Sequence, residues 1–236
     1  NVGKKLKFEL QNDFRVVENH VVTVGLETEK EKINTSLNSD SAFGPFSSSS
    51  KADVRTDAIY VQDQFSYRDR FFGTLGLRID DHQSFGSERT YRIAPAYLHR
   101  ETGTKIRAAY AKGFKAPALF QLFGSSISGF GVFSGNPDLK PEVSRGWEIG
   151  LDQGLFKDRV FLSFTYYDNE IKNLISSTAT TNVNIGVAET HGIEVGLRVD
   201  ILENLNAGAS YAYTRAQNGI TNQELLRRPL HKATFD

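Results

Sequence analysis

Apolar side chains fall on every second position along most of this chain. Val160, Leu162, Phe164 and Tyr166 alternate with Ser163, Thr165, Tyr167 and Asn169, and Ile193, Val195, Leu197, Val199 and Ile201 alternate with Glu194, Gly196, Arg198 and Asp200. The same dyad sets Leu205, Ala207, Ala209, Tyr211 and Tyr213 against Asn206, Gly208, Ser210 and Thr214, and Trp147, Ile149 and Leu151 against Glu148, Gly150 and Asp152. Shorter versions occur at Leu6, Phe8 and Leu10, at Val22, Val24 and Leu26, at Leu75, Leu77 and Ile79, and at Ile106, Ala108 and Tyr110. A period of two gives a strand one apolar and one polar face, whereas a helical period is nowhere sustained. With the less regular segments near Ile59 and Ile93, the pattern predicts an all-β chain of roughly ten strands plus the start of another after Pro229. Many of these runs reach ten residues, past the ~5 to 6 of an ordinary globular strand.

The connections alternate in length. Tight turns are predicted at Glu18-Asn19-His20, Tyr67 to Arg70, Glu101-Thr102-Gly103, Phe156-Lys157-Asp158 and Leu202-Glu203-Asn204. Between them fall residues 36–52, the short 83–88, residues 113–142, 172–181 and 217–228, with Ser47 to Ser50 read as a flexible loop tip. Short turns at one end and variable loops at the other are the pattern of an antiparallel up-and-down transmembrane β-barrel. Arg78, Asp80, Arg107, Glu148, Asp152, Glu194, Arg198 and Asp200 lie on the polar face, where mixed charge suits a wet or plugged lumen. A soluble β-sandwich with a binding role, a passive porin, and a barrel enzyme such as an outer-membrane protease or lipase share parts of this pattern.

Composition narrows the classes further. Lys and Arg total 28 against 28 for Asp and Glu in 236 residues, so nothing favours a nucleic-acid partner. There is no cysteine, which removes disulfides, thiolate metal sites and cysteine nucleophiles. No apolar run approaches the ~20 residues of a transmembrane helix, and the amino terminus carries no signal-peptide pattern. The chain opens Asn1-Val2-Gly3 and holds no Met, which points to a processed protein or a piece of a longer one. The five histidines are scattered without metal-ligand spacing, and the Asp80-Asp81 pair falls short of the six or so oxygens calcium needs. Neither a Gly-x-Ser-x-Gly elbow nor a phosphate-binding loop is present, so no catalytic residue, metal or cofactor is expected.

Two stretches interrupt the dyad with a different grammar. A strand closes on Gly113, Phe114, Lys115, Ala116 and Pro117, and after a loop Asn136, Pro137, Asp138, Leu139, Lys140, Pro141 and Glu142 lead into the next. Both prolines fix their own φ and push Asn136 and Lys140 toward extended geometry, so this second segment is a stiff ramp, opened by Asn136 as an Asx turn. These residues are expected to shape the loop and start the strand rather than to bind ligand.

"YAKGFKAPALFQLF" from Tyr110 and "GNPDLKPEVSRGWEIGL" from Gly135 resemble the corresponding region of TonB-dependent outer-membrane receptors, importers of iron-siderophores, vitamin B12 and related nutrients. "TYYDNEIKNLI" from Thr165 and "RRPLHKATF" from Arg227 are similar to later strand segments of that family, so the resemblance covers about residues 53–236. It implies that residues 1–236 are a partial barrel domain, roughly the C-terminal half, in the outer membrane of a Gram-negative bacterium. Further implied are a plug domain not seen in this sequence, TonB as an energising partner through that plug, outer-membrane lipid around the wall, and a small nutrient ligand on external loops. The loop 113–142 is then external and folded back toward the lumen, and Phe123, Phe130 and Phe133 are the candidate ligand-contacting residues on it. Such a fragment alone would leave two unpaired edges and a greasy face.

Overall fold

In the computed structural model, residues 2–41, 44–225 and 228–236 are described, and strands take up most of them. Six come first: β1 (Val2–Val17), β2 (His20–Ser41), β3 (Gly44–Tyr67), β4 (Phe71–His82), β5 (Gly86–His99) and β6 (Thr104–Lys115). A short helix α1 (Leu119–Phe123) and a small hairpin, β7 (Gly124–Ser128) and β8 (Gly131–Ser134), intervene. Then follow β9 (Glu142–Leu155), β10 (Val160–Ser177), β11 (Asn182–Leu202), β12 (Leu205–Asn218) and β13 (His231–Phe235). Leaving β7 and β8 aside, each strand pairs antiparallel with its successor in order from β1 to β13, and among the described residues those two end strands pair on one side only. Ten full strands plus the short β13 is the meander that the dyad predicts, here as an open sheet. Arg227 lies outside the described residues, so the re-entry stretch is seen only from Arg228.

The register keeps the greasy face continuous. Ile106, Leu151, Phe164, Val195 and Tyr211 are successive cross-strand partners, as are Val24, Val61, Leu77 and Tyr91. Because the side-chain period is two, a slip of one residue would turn a whole row inward, so the rows lock the pairing. This face is bare: Leu6 is 75% and Phe8 67% exposed. A sandwich would bury such a face between two sheets, so its medium here is lipid.

All five tight turns stand where the sequence predicts them, and Arg68, Asp69, Phe156, Lys157 and Asp158 there adopt left-handed backbone. The opposite end requires corrections. Of the predicted loop 36–52, residues 36–41 and 44–52 are not loop but strand: β2 and β3 run on as a ladder from Thr35↔Ser50 to Ser41↔Gly44, giving strands of 22 and 24 residues, and residues 42–43 lie outside the described residues. Nor are Ser47 to Ser50 a flexible tip, since they pair with β2 on one edge and with β7 on the other. β10 likewise continues to Ser177, past the predicted end at residue 171. Above the bilayer both strand faces are wet, so alternation disappears although the backbone ladder continues.

The intervening segment shows how the sheet is curved. Ser49 pairs with Ser125, Ser125 with Ser134, and Ser134 with Thr181 at the start of β11. That path is three inter-strand steps, about 14 Å, whereas β3 and β11 lie six steps apart in the sheet, about 29 Å if it were flat. The sheet therefore curls around its polar face, and the segment crosses the mouth.

Candidate functional site

The mouth is framed by the loop of residues 116–141. Gly113, Phe114 and Lys115 end β6 opposite Ser144, Val143 and Glu142. Phe114 meets Phe85 of the β4–β5 turn edge-on at 6.0 Å. Ala116 and the buried Pro117 then turn the chain into α1, whose Leu122 is 1% exposed. β7 takes the edge of β3 that β4 leaves at Thr56, so main-chain groups that would stand unpaired above β4 gain partners.

The ramp returns across the outer ends of β10 and β11, held by three asparagines. Gly135 passes so close to α1 that a Cβ would stand 2.7 Å from the Leu122 carbonyl, which explains a glycine there. Asn136 forms the expected Asx turn, its Oδ1 accepting from the Asp138 N–H at 3.0 Å, while its Nδ2 donates to the Asn182 carbonyl at 3.0 Å. Pro137 and Asp138 carry the chain over to Leu139, 2% exposed. Lys140 exchanges two main-chain bonds with the Asn184 amide at 2.9 Å, and Asn173 Nδ2 reaches the Pro141 carbonyl at 3.4 Å. Glu142 accepts from the Ile175 N–H at 2.9 Å and pairs with Lys115 at 3.1 Å, tying the two halves of the motif together.

Sequence reasoning missed Asn173, Asn182 and Asn184. A signal existed: asparagine occurs three times within residues 173–184, in and just after the predicted loop 172–181, and its short amide side chain readily bonds main chain.

The three nominated phenylalanines lie on this loop but do not form one surface. Phe133 stacks on Phe120, ring centres 6.2 Å apart and planes 4° from parallel, so it packs the loop on itself. Phe123 is 37% exposed, and Phe130, at the hairpin tip, is 87% exposed.

Below the mouth the polar face is cross-linked by charge. Arg78 binds Asp80 at 2.7 Å and Glu27 at 3.0 Å, and the Tyr60 hydroxyl donates to Glu9 at 2.7 Å. Arg107 spans from β6 to Asp152 at 3.3 Å, Glu148 at 3.5 Å and Thr165 Oγ1 at 2.7 Å. It can do so because Gly150 lies beneath it, where a Cβ would come within 2.6 Å of the guanidinium carbon. Asp80 and Asp81 fall on opposite faces of β4, so they do not converge on a cation. The arrangement is a braced polar wall under a strapped loop with an exposed aromatic tip.

Residues 2–236 match the family described as TonB dependent receptor-like, beta-barrel. Among curated proteins, the chain is 27% identical over 234 residues to the iron-regulated outer membrane virulence protein of Vibrio cholerae serotype O1, covering 90% of this chain and 35% of that protein. It is 29% identical over 246 residues to the ferric enterobactin receptor PirA of Pseudomonas aeruginosa, covering 89% and 32%. The chain thus spans about a third of the length of these relatives. The crystal structure of PirA from Pseudomonas aeruginosa superposes with a TM-score of 0.72 at 25% identity, over 92% of this chain and 40% of that one. The ferric enterobactin receptor PfeA of the same species gives 0.79 at 17% identity over 99% and 38%, a likeness of fold.

Proposed function

We propose, from the premise that this chain belongs to the TonB-dependent receptor-like β-barrel family, that it is part of the wall of an outer-membrane receptor importing an iron–siderophore complex. The outer-membrane location goes with the family and with the bare apolar face. The remainder of the parent receptor would close the barrel at β1 and β13 and supply a plug through which TonB drives release. Iron–siderophore is preferred to cobalamin because the relatives named above are iron-regulated or ferric enterobactin receptors.

One observation carries the reading: the segment between β6 and β9 is strapped across the lumen mouth from β3 to β11 and presents Phe130 at its tip. An aromatic tip over a polar lumen offers a flat apolar contact for an aromatic chelate while the braced wall below stays wet. The family motif serves as the frame, and Phe130 with Phe123 as the ligand-facing part; Phe133 holds the hairpin.

The test is uptake of radiolabelled ferric enterobactin by cells carrying the full-length parent receptor. Phe130→Ala is expected to lower uptake about tenfold, the loss of ~1.4 kcal/mol of aromatic contact, with the receptor still present at wild-type abundance. Uptake should vanish when TonB is deleted. Undiminished uptake in Phe123→Ala, Phe130→Ala and Phe133→Ala alike would remove the loop from the ligand site, and uptake surviving TonB deletion would remove active transport.

A further inference from the structure

Above the apolar band, the lipid-side face of β1 to β3 changes character. Moving toward the long-loop end, β1 presents Leu10, Phe8, Leu6 and then Lys4, and β2 presents Leu26, Thr28, Lys30 and Lys32. β3 presents Ile59, Asp57, Arg55, Asp53 and Lys51. All share one face, being an even number of residues from the lipid-facing aliphatics of their strands. The register sets Lys4 directly opposite Lys32, and Lys30 directly opposite Arg55. Like charges directly opposite each other destabilise a sheet, and here two such pairs lie side by side.

Carboxylates answer only part of this charge. Asp53 takes Lys30 at 2.8 Å and Asp57 takes Arg55 at 3.0 Å. Lys4, Lys32 and Lys51 form no salt bridge among the described residues, although the register sets Lys32 directly opposite Asp53, which bonds Lys30 instead. Asp81 of β4 stands opposite Asp57, on the side away from Lys4 and Lys32. The result is five cations against two carboxylates on β1 to β3, directly above an apolar row.

We infer that this surface docks the phosphorylated headgroup of an outer-leaflet glycolipid, with Lys4, Lys32 and Lys51 on the phosphates and the acyl chains along Leu6, Phe8 and Leu26. The position chooses the occupant. The patch lies where the headgroup layer meets the wall of an outer-membrane barrel, and lysine stems can lie on the apolar row while their ammonium groups reach the phosphates. A phosphate inserted between Lys4 and Lys32 replaces their one repulsion with two attractions. An amphiphile uses both the cations and the exposed aliphatics below them, whereas a free anion would use only the first. The inference rests on the membrane position of the sheet and not on which nutrient the receptor carries.

The experiment is native mass spectrometry of the full-length parent receptor in detergent, titrated with lipid A, with the same glycolipid stripped of its phosphates, and with inorganic phosphate. The triple variant K4Q/K32Q/K51Q is expected to bind lipid A about 100-fold more weakly than wild type, from the attraction each lysine contributes at a charged lipid surface. The dephosphorylated lipid should bind wild type as weakly as lipid A binds the variant. Equal lipid A binding by variant and wild type overturns the inference, as does equal binding of the dephosphorylated lipid. Displacement of lipid A by millimolar inorganic phosphate also overturns it, in favour of a free-anion site. If the triple variant does not fold, Asp53→Asn decides: it removes a competing carboxylate and should tighten lipid A binding severalfold, and unchanged or weaker binding counts against the proposal.

Discussion

Replacing Asn182 by alanine tests whether the loop is held where the ligand would meet it. The side chain is 1% exposed; its Oδ1 accepts from the Ser177 hydroxyl at 2.7 Å and its Nδ2 donates to the Gln121 carbonyl at 3.1 Å. Asn182→Ala deletes both bonds but keeps the main-chain carbonyl that accepts from Asn136. The Gln121 carbonyl also keeps a partner, the Asn136 N–H at 2.9 Å, so only the Ser177 hydroxyl loses its acceptor outright. Two hydrogen bonds at ~0.5 to 1.5 kcal/mol each put the cost at about 1 to 3 kcal/mol. That corresponds to about 5- to 150-fold more of the locally opened state. The cost should fall on local opening, because the ladders of β2, β3, β10 and β11 do not pass through this side chain. Hydrogen exchange followed by mass spectrometry on the full-length receptor should show faster exchange over residues 119–134 by that factor, with the β2–β3 ladder unchanged. Unaltered exchange over 119–134, or an equal rise throughout the barrel, would refute the reasoning.

Three further outcomes follow from the same geometry. Arg78→Ala leaves Asp80, 3% exposed, and Glu27 without their guanidinium; it should cost about 3 kcal/mol in urea unfolding of the refolded full-length barrel, and Asp80→Ala in the same background should recover most of it. No recovery in the double variant would mean that the pair is not the cause. His82 stacks on Phe85 at 4.0 Å, its Nδ1 accepts from the Ser84 N–H at 3.1 Å, and burial pushes its imidazole below the usual histidine range against the weaker pull of Glu31, Asp81 and Glu29. With the folded value below the unfolded ~6.5, the turn's stability is fully present above that pH and is lost as pH falls below it. The protection factors of residues 83–85, which divide out the pH dependence of intrinsic exchange, should therefore fall on acidification in wild type and stay constant in His82→Gln, and a constant wild-type protection factor would contradict this. Gly135→Ala drives a Cβ into the Leu122 main chain and should expose residues 116–141 to protease, while Gly3→Ala, with open space around its Cα, should not; equal cleavage of both would show that the close approach does not matter.

What could be read from the sequence divides at the membrane surface. Within the apolar band each strand reports its own existence, because Leu162, Phe164 and Tyr166 must face lipid and Ser163, Thr165 and Tyr167 must not. The tight turns at Tyr67 to Arg70 and Phe156 to Asp158 were equally visible, since polar residues there interrupt an otherwise strict dyad. Above the band the same backbone ladder carries Ser36 opposite Ser49 and Ser41 opposite Gly44. With water on both faces the pattern there has no reason to alternate, and serine is a poor strand former, so continuous strands looked like a loop. α1, at five residues, is too short to show a period. The Asx turn at Asn136 was foreseeable because it depends on residues two apart, whereas the Asn182 bond to Gln121 joins residues separated by 61 positions. Local chemistry was legible, and its long-range partners were not.

The division of labour inside the loop explains why, on the proposed reading, the hairpin tip and not the most conspicuous motif is the part that would meet ligand. Lys140 and Pro141 have main-chain groups bound by Asn184 and Asn173, and Asn136 and Glu142 spend their side chains on the main chain of neighbouring segments. A residue so committed has no group left for a ligand that must come and go. The hairpin tip has the opposite character: Phe130 is exposed, and the hairpin is anchored at its base by β3 and Thr181. A change of side chain at the tip therefore leaves every frame bond in place, whereas a change at Asn136 or Asn182 releases the strap. On that reading a receptor of this design would alter what it captures by substitutions between Ser128 and Gly131 without refolding its mouth, so swapping those four residues between two such receptors should carry ligand preference with them, while swapping the ramp should not.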